Sequence, residues 1–319
     1  MDQTTFDEIV QQFKETVDNE KQPLKMNNLM IKQKDHEFLY SFKGEKRMSD
    51  VRSLSKTILT VFLGVLIRLS EEGNYPEIHE ETYIYPIIKE AVNLENAENL
   101  EKLEKVQIKH LLTHTIGYDD VLLMRQDIEG MEDKDFVNFL VNYPIVHEPG
   151  EYYLYSNAGF YLLSAVLQEF LQEDLLTVME RELFHPLGIE TFKWEKYGPY
   201  LAGATRLWLY PEDLMKFGEL LLNDGRLEGK DLLTKDWLEK MLTLRVRTEE
   251  EDMPNRLLRR YGYGYGTWLT KDSIFFGRGT DGQFLIVIPD KKVIILTLSE
   301  QSDMVPIENI LDSVIREKL

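Results

Sequence analysis

The stretch Ser53-Leu54-Ser55-Lys56 opens the most apolar segment of the chain and sets a serine three residues before a lysine. A serine hydroxyl is a weak nucleophile at neutral pH, and it needs a neighbouring base to take its proton. Residues three apart share a helix face, so Lys56 can reach Ser53 if a helix begins here. Free lysine titrates near ~10.4, and burial can lower that pKa by up to ~3–5 units. The stretch therefore predicts a serine nucleophile with a lysine base, although alone it favours a helix N-cap followed by a solvated lysine.

Composition limits the kind of protein and its partners. The chain has 319 residues, 43% of them hydrophobic, which is enough for two layers or two domains around a core. Its net charge of -19 would repel phosphate backbones and anionic lipid surfaces, so we expect neither nucleic acid nor membrane as a partner. The absence of cysteine excludes disulfides, thiolate metal sites and cysteine nucleophiles.

The N-terminal region carries an amphipathic pattern instead of a signal peptide. Phe6, Ile9, Val10 and Phe13 recur at helical spacing, without a basic region followed by an apolar stretch. The apolar segment 58–67 is shorter than the roughly 20 residues that a membrane span needs. We therefore expect a cytoplasmic protein.

Strand patterns lie at both ends of the chain and helical patterns lie between them. A hairpin is predicted at 29–34 and 37–43, and later strands at 263–269, 273–276, 284–288 and 293–298. Helices are predicted at 58–67, 96–105, 108–113, 135–141, 158–171, 175–183, 211–223, 235–242 and 307–319, and a mobile loop at 245–261. This order predicts an α/β protein of α+β type, with an antiparallel sheet built from both termini and flanked by helices. The sheet domain would comprise residues 1–58 and 196–319, the inserted all-helical domain residues 59–195, and the active site would lie at their junction.

A second polar cluster precedes the helix predicted at residue 158. The segment Pro149-Gly150 through Tyr155-Ser156-Asn157 can simply cap that helix. It can also bring the Tyr155 hydroxyl beside Ser53 and Lys56, where a phenol takes part in proton transfer.

A third cluster is dense in glycine and leads into an apolar strand. It runs Phe276-Gly277-Arg278-Gly279-Thr280-Asp281-Gly282-Gln283 and is consistent with a tight turn or bulge. Glycine also permits close approach of a strand to a ligand, and the backbone N–H of Gln283 could join that of Ser53 in binding an oxyanion.

These three clusters, in this order, resemble the serine β-lactamase and penicillin-recognising superfamily. The similarity is to its class C-like branch of esterases, D-alanyl peptidases and 6-aminohexanoate-dimer hydrolases, whose motifs are S-x-x-K, Y-x-N and K-T-G or H-x-G. Ser53/Lys56, Tyr155/Asn157 and Thr280-Asp281-Gly282 match these motifs. Further similar stretches are 110–117, 149–150, 184–188 and 211–225, so that the resemblance covers roughly residues 26 to 300.

The resemblance implies a β-lactamase-like fold and an enzyme that needs no cofactor or metal. It implies that Ser53 is acylated, that Lys56 and Tyr155 share the proton transfers, and that Asn157 orients Lys56 or the substrate. The third motif departs from the family, because Thr280 stands where lysine or histidine is usual. Arg278 is the candidate replacement for that cation.

Three other functions compete with that of a serine hydrolase acting on a small ester or amide. A non-catalytic ligand-binding or penicillin-binding protein of the same fold would account for the altered third motif. A metallohydrolase is another alternative, since His110 and His114 have the spacing of metal ligands on a helix. However, no H-E-x-x-H motif accompanies them. The absence of G-x-S-x-G argues against an α/β-hydrolase.

The third motif also carries a prediction about the substrate. With Thr280 offering only a hydroxyl and Asp281 adding a negative charge, a substrate carboxylate would meet no cation. The sequence therefore predicts a preference for short acyl substrates without a carboxylate and poor turnover of penicillins.

Overall fold

The computed structural model describes residues 1–45, 47–131, 134–248, 258 and 260–319. The described strands are β1 (Met26–Gln33), β2 (His36–Ser41), β3 (Ser49–Asp50), β4 (Lys193–Trp194), β5 (Lys196–Tyr197), β6 (Tyr200–Leu201), β7 (Leu207–Leu209), β8 (Arg226–Leu227), β9 (Lys230–Asp231), β10 (Val246–Arg247), β11 (Gly262–Tyr263), β12 (Trp268–Leu269), β13 (Phe275–Gly279), β14 (Gln283–Ile288) and β15 (Val293–Ser299). The described α-helices are α1 (Gln3–Glu15), α2 (Ser55–Glu71), α3 (Tyr85–Ile88), α4 (Leu100–Leu103), α5 (Ile108–Leu112), α6 (Arg125–Ile128), α7 (Phe136–Asn142), α8 (Ala158–Leu171), α9 (Leu175–Met179), α10 (Pro211–Leu222), α11 (Lys235–Leu242) and α12 (Val305–Glu317).

The main sheet is antiparallel and joins both ends of the chain, as predicted. Its order is β10-β11-β12-β13-β14-β15-β1-β2. The N-terminal strand β1 lies between the C-terminal strand β15 and its own hairpin partner β2, and Leu29 is opposite both Thr297 and Tyr40. A smaller sheet has the order β3-β7-β4, and its strand β3 comes just before Ser53 in the chain.

Apolar side chains on the two faces of the main sheet belong to two different cores. Along β14, Phe284, Ile286 and Ile288 pack with α1 and α12. The alternate residues Leu285 and Val287 belong to the larger core, which contains α2, α8 and α10. Successive side chains of a strand point to opposite faces of the sheet, and here each face packs against helices. The fold is therefore the predicted antiparallel sheet flanked by helices.

Helix α2 lies inside the larger core, which explains its nearly continuous apolar sequence. Its residues from Ser55 to Ile67 are all buried, and Gly64 leaves room for the Trp237 ring, since a Cβ there would lie 2.1 Å from Trp237 Cδ1. With the preceding turn, the helix has the length and hydropathy of a membrane span, but 83% of its most apolar window is buried inside the protein. A core helix passes the same test, so this is weak evidence for a span.

Several predicted elements differ from the structure. The single strand predicted at 263–269 is two strands, β11 and β12, because the chain reverses at Gly264–Thr267, where the Gly264 N–H donates to the Thr267 carbonyl at 2.9 Å. The short strands β4 to β7 were not predicted. Most of the predicted loop 245–261 lies outside the described residues, and the two-domain division stays a prediction.

Candidate active site

Ser53 and Lys56 are in contact, as their spacing predicts. Ser53 lies in a 3₁₀ turn, Arg52–Leu54, that leads directly into α2. Lys56 lies in the first turn of that helix and its Nζ donates to Ser53 Oγ at 3.0 Å. Arg52, just before the serine, has a φ of 54°, and its N–H donates to Asp50 Oδ1 at 2.9 Å. This left-handed residue turns the chain sharply at the point where Ser53 is presented, and Ser53 itself is partly exposed.

Lys56 has the environment of a base. Its side chain is fully buried, and Nζ also donates to Asn157 Oδ1 at 2.8 Å and to the Ala204 carbonyl at 3.3 Å. Burial lowers the pKa of Lys56 from 10.5 to about 7, because the charged form loses its hydration. A substantial fraction of Lys56 is therefore neutral near pH 7 and can accept the serine proton.

Tyr155 lies next to both Lys56 and Ser53. Lys56 Nζ is 4.9 Å from the centre of the Tyr155 ring. Burial raises the pKa of the Tyr155 phenol, and hydrogen bonding to Ser53 opposes that effect. The resting side chain is thus a neutral phenol, able to donate a proton, and Lys56 is the better candidate for the base.

Asn157 fixes the position of the lysine. It is the residue just before α8, and its Nδ2 donates to the Leu123 carbonyl at 2.7 Å while its Oδ1 accepts from Lys56. The amide is therefore held from both ends, which orients Lys56 as the family resemblance implies.

The glycines of the third motif let β13 touch the serine turn. A Cβ on Gly277 would lie 2.0 Å from Leu54 Cδ1, and one on Gly279 would lie 2.6 Å from the Val51 carbonyl oxygen. Close approach is the reason that glycine occupies these positions. The approach is to the Ser53 turn itself, which brings the β13–β14 hairpin to the edge of the site.

Arg278 does not line the cavity beside Ser53, so its assignment to substrate binding stays a prediction. Since Gly277 and Gly279 face the serine turn, strand alternation points Arg278 to the opposite face of the sheet. Its Nη2 donates there to Glu308 Oε1 at 2.8 Å, and its guanidinium lies 5.8 Å from the centre of the Phe284 ring. The guanidinium is nevertheless close enough to Tyr155 to act against the burial that raises the pKa of that phenol.

The turn Thr280-Asp281-Gly282 lies at the site and is held firmly by β15. Thr297 Oγ1 donates to the Gly282 carbonyl at 2.9 Å, and Ser299 Oγ donates to that of Asp281. Thr280 and Asp281 line the cavity beside Ser53. Gln283 does not line it, because it is buried in β14 opposite Gly279 and its amide binds the Ser299 backbone. The role of the Gln283 backbone N–H as second oxyanion donor stays a prediction.

A cavity of about 410 Å³ opens beside Ser53 and holds residues that sequence reasoning missed. Its wall includes Arg52, Arg125 and Arg206. Arg52 Nε and Arg125 Nη2 both approach Asp281 Oδ2, at 3.0 and 2.8 Å. The charge of Asp281 is therefore neutralised, and the predicted repulsion of a substrate anion by that carboxylate is not supported. Of these three arginines, only Arg52 could have been assigned to the site from the sequence, because it is adjacent to Ser53.

The two histidines considered as metal ligands do not share a helix face. Helix α5 ends at Leu112, so His114 lies beyond it, with a φ of 57°. His110 Nδ1 accepts from the Gln107 N–H at 3.0 Å, which caps the helix. His114 is buried, its ring centre is 4.4 Å from that of Tyr155, and burial holds its pKa well below the ordinary range. Among the described residues, no group of three or more His, Cys, Asp or Glu could hold a metal ion.

The fold and the position of the serine define a class of protein, and comparison with known proteins gives the family. An antiparallel sheet flanked by helices, with S-x-x-K opening the central buried helix, is the arrangement of β-lactamase-like proteins. The family model Beta-lactamase matches residues 48–318, and the chain belongs to that family.

Solved structures with the same fold include proteins of several activities. EstCE1, "a hydrolase with promiscuous acyltransferase activity", is 15% identical with a TM-score of 0.74, over 98% of each chain. A penicillin binding protein from Bacillus halodurans is 20% identical with a TM-score of 0.68, over 98% of this chain and 100% of its own. An octameric penicillin-binding protein homologue from Pyrococcus abyssi is 17% identical with a TM-score of 0.69, over 97% of this chain and 77% of its own. At these identities the similarity shows the fold alone. A search of curated proteins finds no match.

Proposed function

We propose that this protein is a serine hydrolase that cleaves small esters or amides through an acyl-enzyme on Ser53. The observation that carries the proposal is the 3.0 Å contact of Lys56 Nζ with Ser53 Oγ, with the pKa of that lysine lowered to about 7. A buried lysine that is neutral near physiological pH, and in contact with a partly exposed serine, is the arrangement that an activated nucleophile requires.

The chemistry follows from these contacts. Neutral Lys56 takes the Ser53 proton as Oγ bonds to the substrate carbonyl carbon, and the carbonyl electron pair moves to its oxygen. The backbone at the serine turn is the candidate donor to that oxyanion. When the carbonyl re-forms, the bond to the leaving alcohol or amine breaks, and the Tyr155 phenol supplies the proton and regains one from Lys56. Water then attacks the acyl-enzyme by the same steps and releases the acid.

Poor turnover of penicillins is the part of the predicted substrate preference that we propose here. Penicillins carry a carboxylate that related enzymes fix with the third-motif cation, and Arg278 is turned to Glu308 on the other face of the sheet. This supports poor turnover of penicillins.

A covalent probe tests the function directly. Incubation with a fluorophosphonate, followed by intact-mass measurement, should add one adduct to the protein and none to Ser53→Ala. The matched control is Ser55→Ala, which removes a fully buried serine whose Oγ donates to the Arg52 carbonyl. Absence of an adduct from wild type, together with no hydrolysis of 4-nitrophenyl butyrate, would instead favour a non-catalytic binding protein of this fold.

A further inference from the structure

The cavity beside Ser53 is positively charged, in contrast to the protein as a whole. Among the described residues of its wall, three are arginines (Arg52, Arg125 and Arg206) and one, Asp281, is a carboxylate. The chain as a whole carries a net charge of -19. Salt limits the range over which charges act to about 8–10 Å, so acidic residues elsewhere on the protein have little effect on the cavity. A positive cavity on an acidic protein therefore indicates selection for an anion at that point.

The carboxylates that pair with Arg52 and Arg206 from behind do not line the cavity itself. Asp50 Oδ2 is 2.7 Å from Arg52 Nη1, and Glu195 Oε2 is 3.1 Å from Arg206 Nη1. Glu195 is also 2.7 Å from a lysine, Lys193. With these neighbours three guanidinium groups face three carboxylates, but two of the carboxylates, Asp50 and Glu195, are not among the residues that line the cavity. A purely structural role would account for these arginine–carboxylate pairs, but not for the open cavity that the arginines line.

The contacts of Asp281 show how the cavity receives a carboxylate. One of its oxygens, Oδ2, lies within 3.0 Å of two guanidinium groups from different parts of the chain. Arg52 already contacts two carboxylates, Asp50 and Asp281, whereas Arg125 contacts Asp281 and Arg206 contacts Glu195. A guanidinium has five N–H donors, so Arg125 and Arg206 can each bind a further carboxylate. The side chains of Arg52 and Arg206 are about a quarter exposed, at 26% and 27%. Partial burial strengthens a charged hydrogen bond compared with one at an open surface.

The position of the cavity indicates which end of the substrate enters it. Asn157 and Ser53 line the cavity, whereas Tyr155 does not. In the proposed mechanism Tyr155 protonates the leaving group, so the leaving group lies on the Tyr155 side of the serine. The acyl group then lies on the opposite side, in the cavity.

We propose that this cavity is the binding site for an anionic acyl group, so that the substrate is an ester or amide whose acyl chain ends in a carboxylate. The proposal rests on the proposed function of Ser53 and adds its substrate class. It also replaces the sequence-based expectation of a substrate without a carboxylate, because the cations of the cavity come from segments outside the third motif.

Matched ester pairs test the proposal. The substrates are the 4-nitrophenyl monoesters of succinate, glutarate and adipate, each compared with its methyl-capped diester, with uncatalysed hydrolysis subtracted. We expect kcat/KM to favour the free acid about ten- to a hundredfold for at least one chain length, the size of one to two charged hydrogen bonds. The preference should decrease as NaCl is raised.

Arginine variants locate the effect. Arg206→Gln and Arg125→Gln should each reduce the ratio of acid to methyl ester at least fivefold, because each removes one cation from the cavity wall. Arg226→Gln is the control, since Arg226 is exposed and pairs with Asp231 away from the cavity. It should leave the ratio unchanged.

The outcomes separate this inference from the proposed function. Hydrolysis of both ester types at similar rates, with Ser53 labelled by the probe, would overturn the anionic site and leave the hydrolase standing. If neither ester is cleaved and Ser53 is not labelled, the proposed function fails, and calorimetry of glutarate with Ser53→Ala then decides the cavity alone. Millimolar or tighter binding that Arg206→Gln abolishes would support an anion site, and no binding would overturn it.

Discussion

The buried lysine makes a prediction about stability that does not depend on any substrate. Lys56 titrates near 10.5 in the unfolded chain and about 7 in the folded protein. Because the unfolded state holds the proton more tightly, folding is penalised below pH 7, and stability rises as the pH increases from 7 toward 10.5. The proton-binding term of each state is one plus the ratio of protonated to neutral lysine in that state. The term of the unfolded state exceeds that of the folded state about 1,600-fold at pH 7 and about 30-fold at pH 9. That change of about fiftyfold is about 2 kcal/mol.

The substitution Lys56→Met isolates this contribution, because Met retains the length of the side chain and does not titrate. We expect the free energy of unfolding of wild type to gain about 2 kcal/mol relative to Lys56→Met between pH 7 and pH 9. Urea unfolding at both pH values measures it. Lys89→Met, at a lysine whose side chain is 52% exposed, is the control and should show no such difference. Parallel pH dependence of wild type and Lys56→Met would refute a lowered pKa, and with it the neutral base.

Three predictions concern activity. Ser53→Ala should lose about 10⁶ in turnover and remain folded, since its oxygen lies at a partly exposed turn; a tenth of wild-type activity would disprove the nucleophile. The rate should rise with pH through an apparent value near 7, and Tyr155→Phe and Lys56→Ala should not have independent effects in the double variant, because the two groups share one proton path. Losses that simply multiply would contradict this. Gly279→Ala should impair hydrolysis, since its Cβ would lie 2.6 Å from the Val51 carbonyl oxygen and displace β13 from the serine turn; unchanged kcat and circular dichroism would show that this contact is not needed.

Penicillin turnover is the remaining prediction and has its own comparison. Wild type should show a higher kcat/KM for 4-nitrophenyl butyrate than for a chromogenic cephalosporin, because Arg278, the cation nearest the third motif, pairs with Glu308 and does not line the cavity beside Ser53. A clear preference for the cephalosporin would be inconsistent with this. Arg278→Ala, whose side chain binds Glu308, should leave the comparison unchanged.

Most of the fold could be predicted because its elements have strong local patterns. Helix α8 begins and ends at the predicted residues, Ala158 and Leu171, and the β1–β2 hairpin is within a few residues of its predicted position. The error in the strand predicted at 263–269 arose because Gly264 and Gly266 mark a turn that its aromatic residues obscure. The short strands β4 to β7 are two or three residues long, and such strands depend on partners distant in the chain.

The candidate site was predictable only where its residues are close together in sequence. Ser53 and Lys56 are one helical turn apart, and Tyr155 and Asn157 precede a clear helix. The face to which Arg278 points depends on strand register, and an uncertainty of one residue reverses it. Arg125 and Arg206 come from segments with no motif of their own, and only the folded chain brings them to the same cavity as Arg52.

The pairing of β1 with β15 also determines when the protein can finish folding during its synthesis. Met26 pairs with Ser299, so β1 cannot complete this pairing until the ribosome has added residue 299. Until then the β1–β2 hairpin exposes both an unpaired edge and the side chains that later contact the two cores, which is a state prone to aggregation. Such long-range pairing also slows folding. A cell that makes this protein therefore has to protect an unfinished sheet through most of the time that the ribosome spends on the chain.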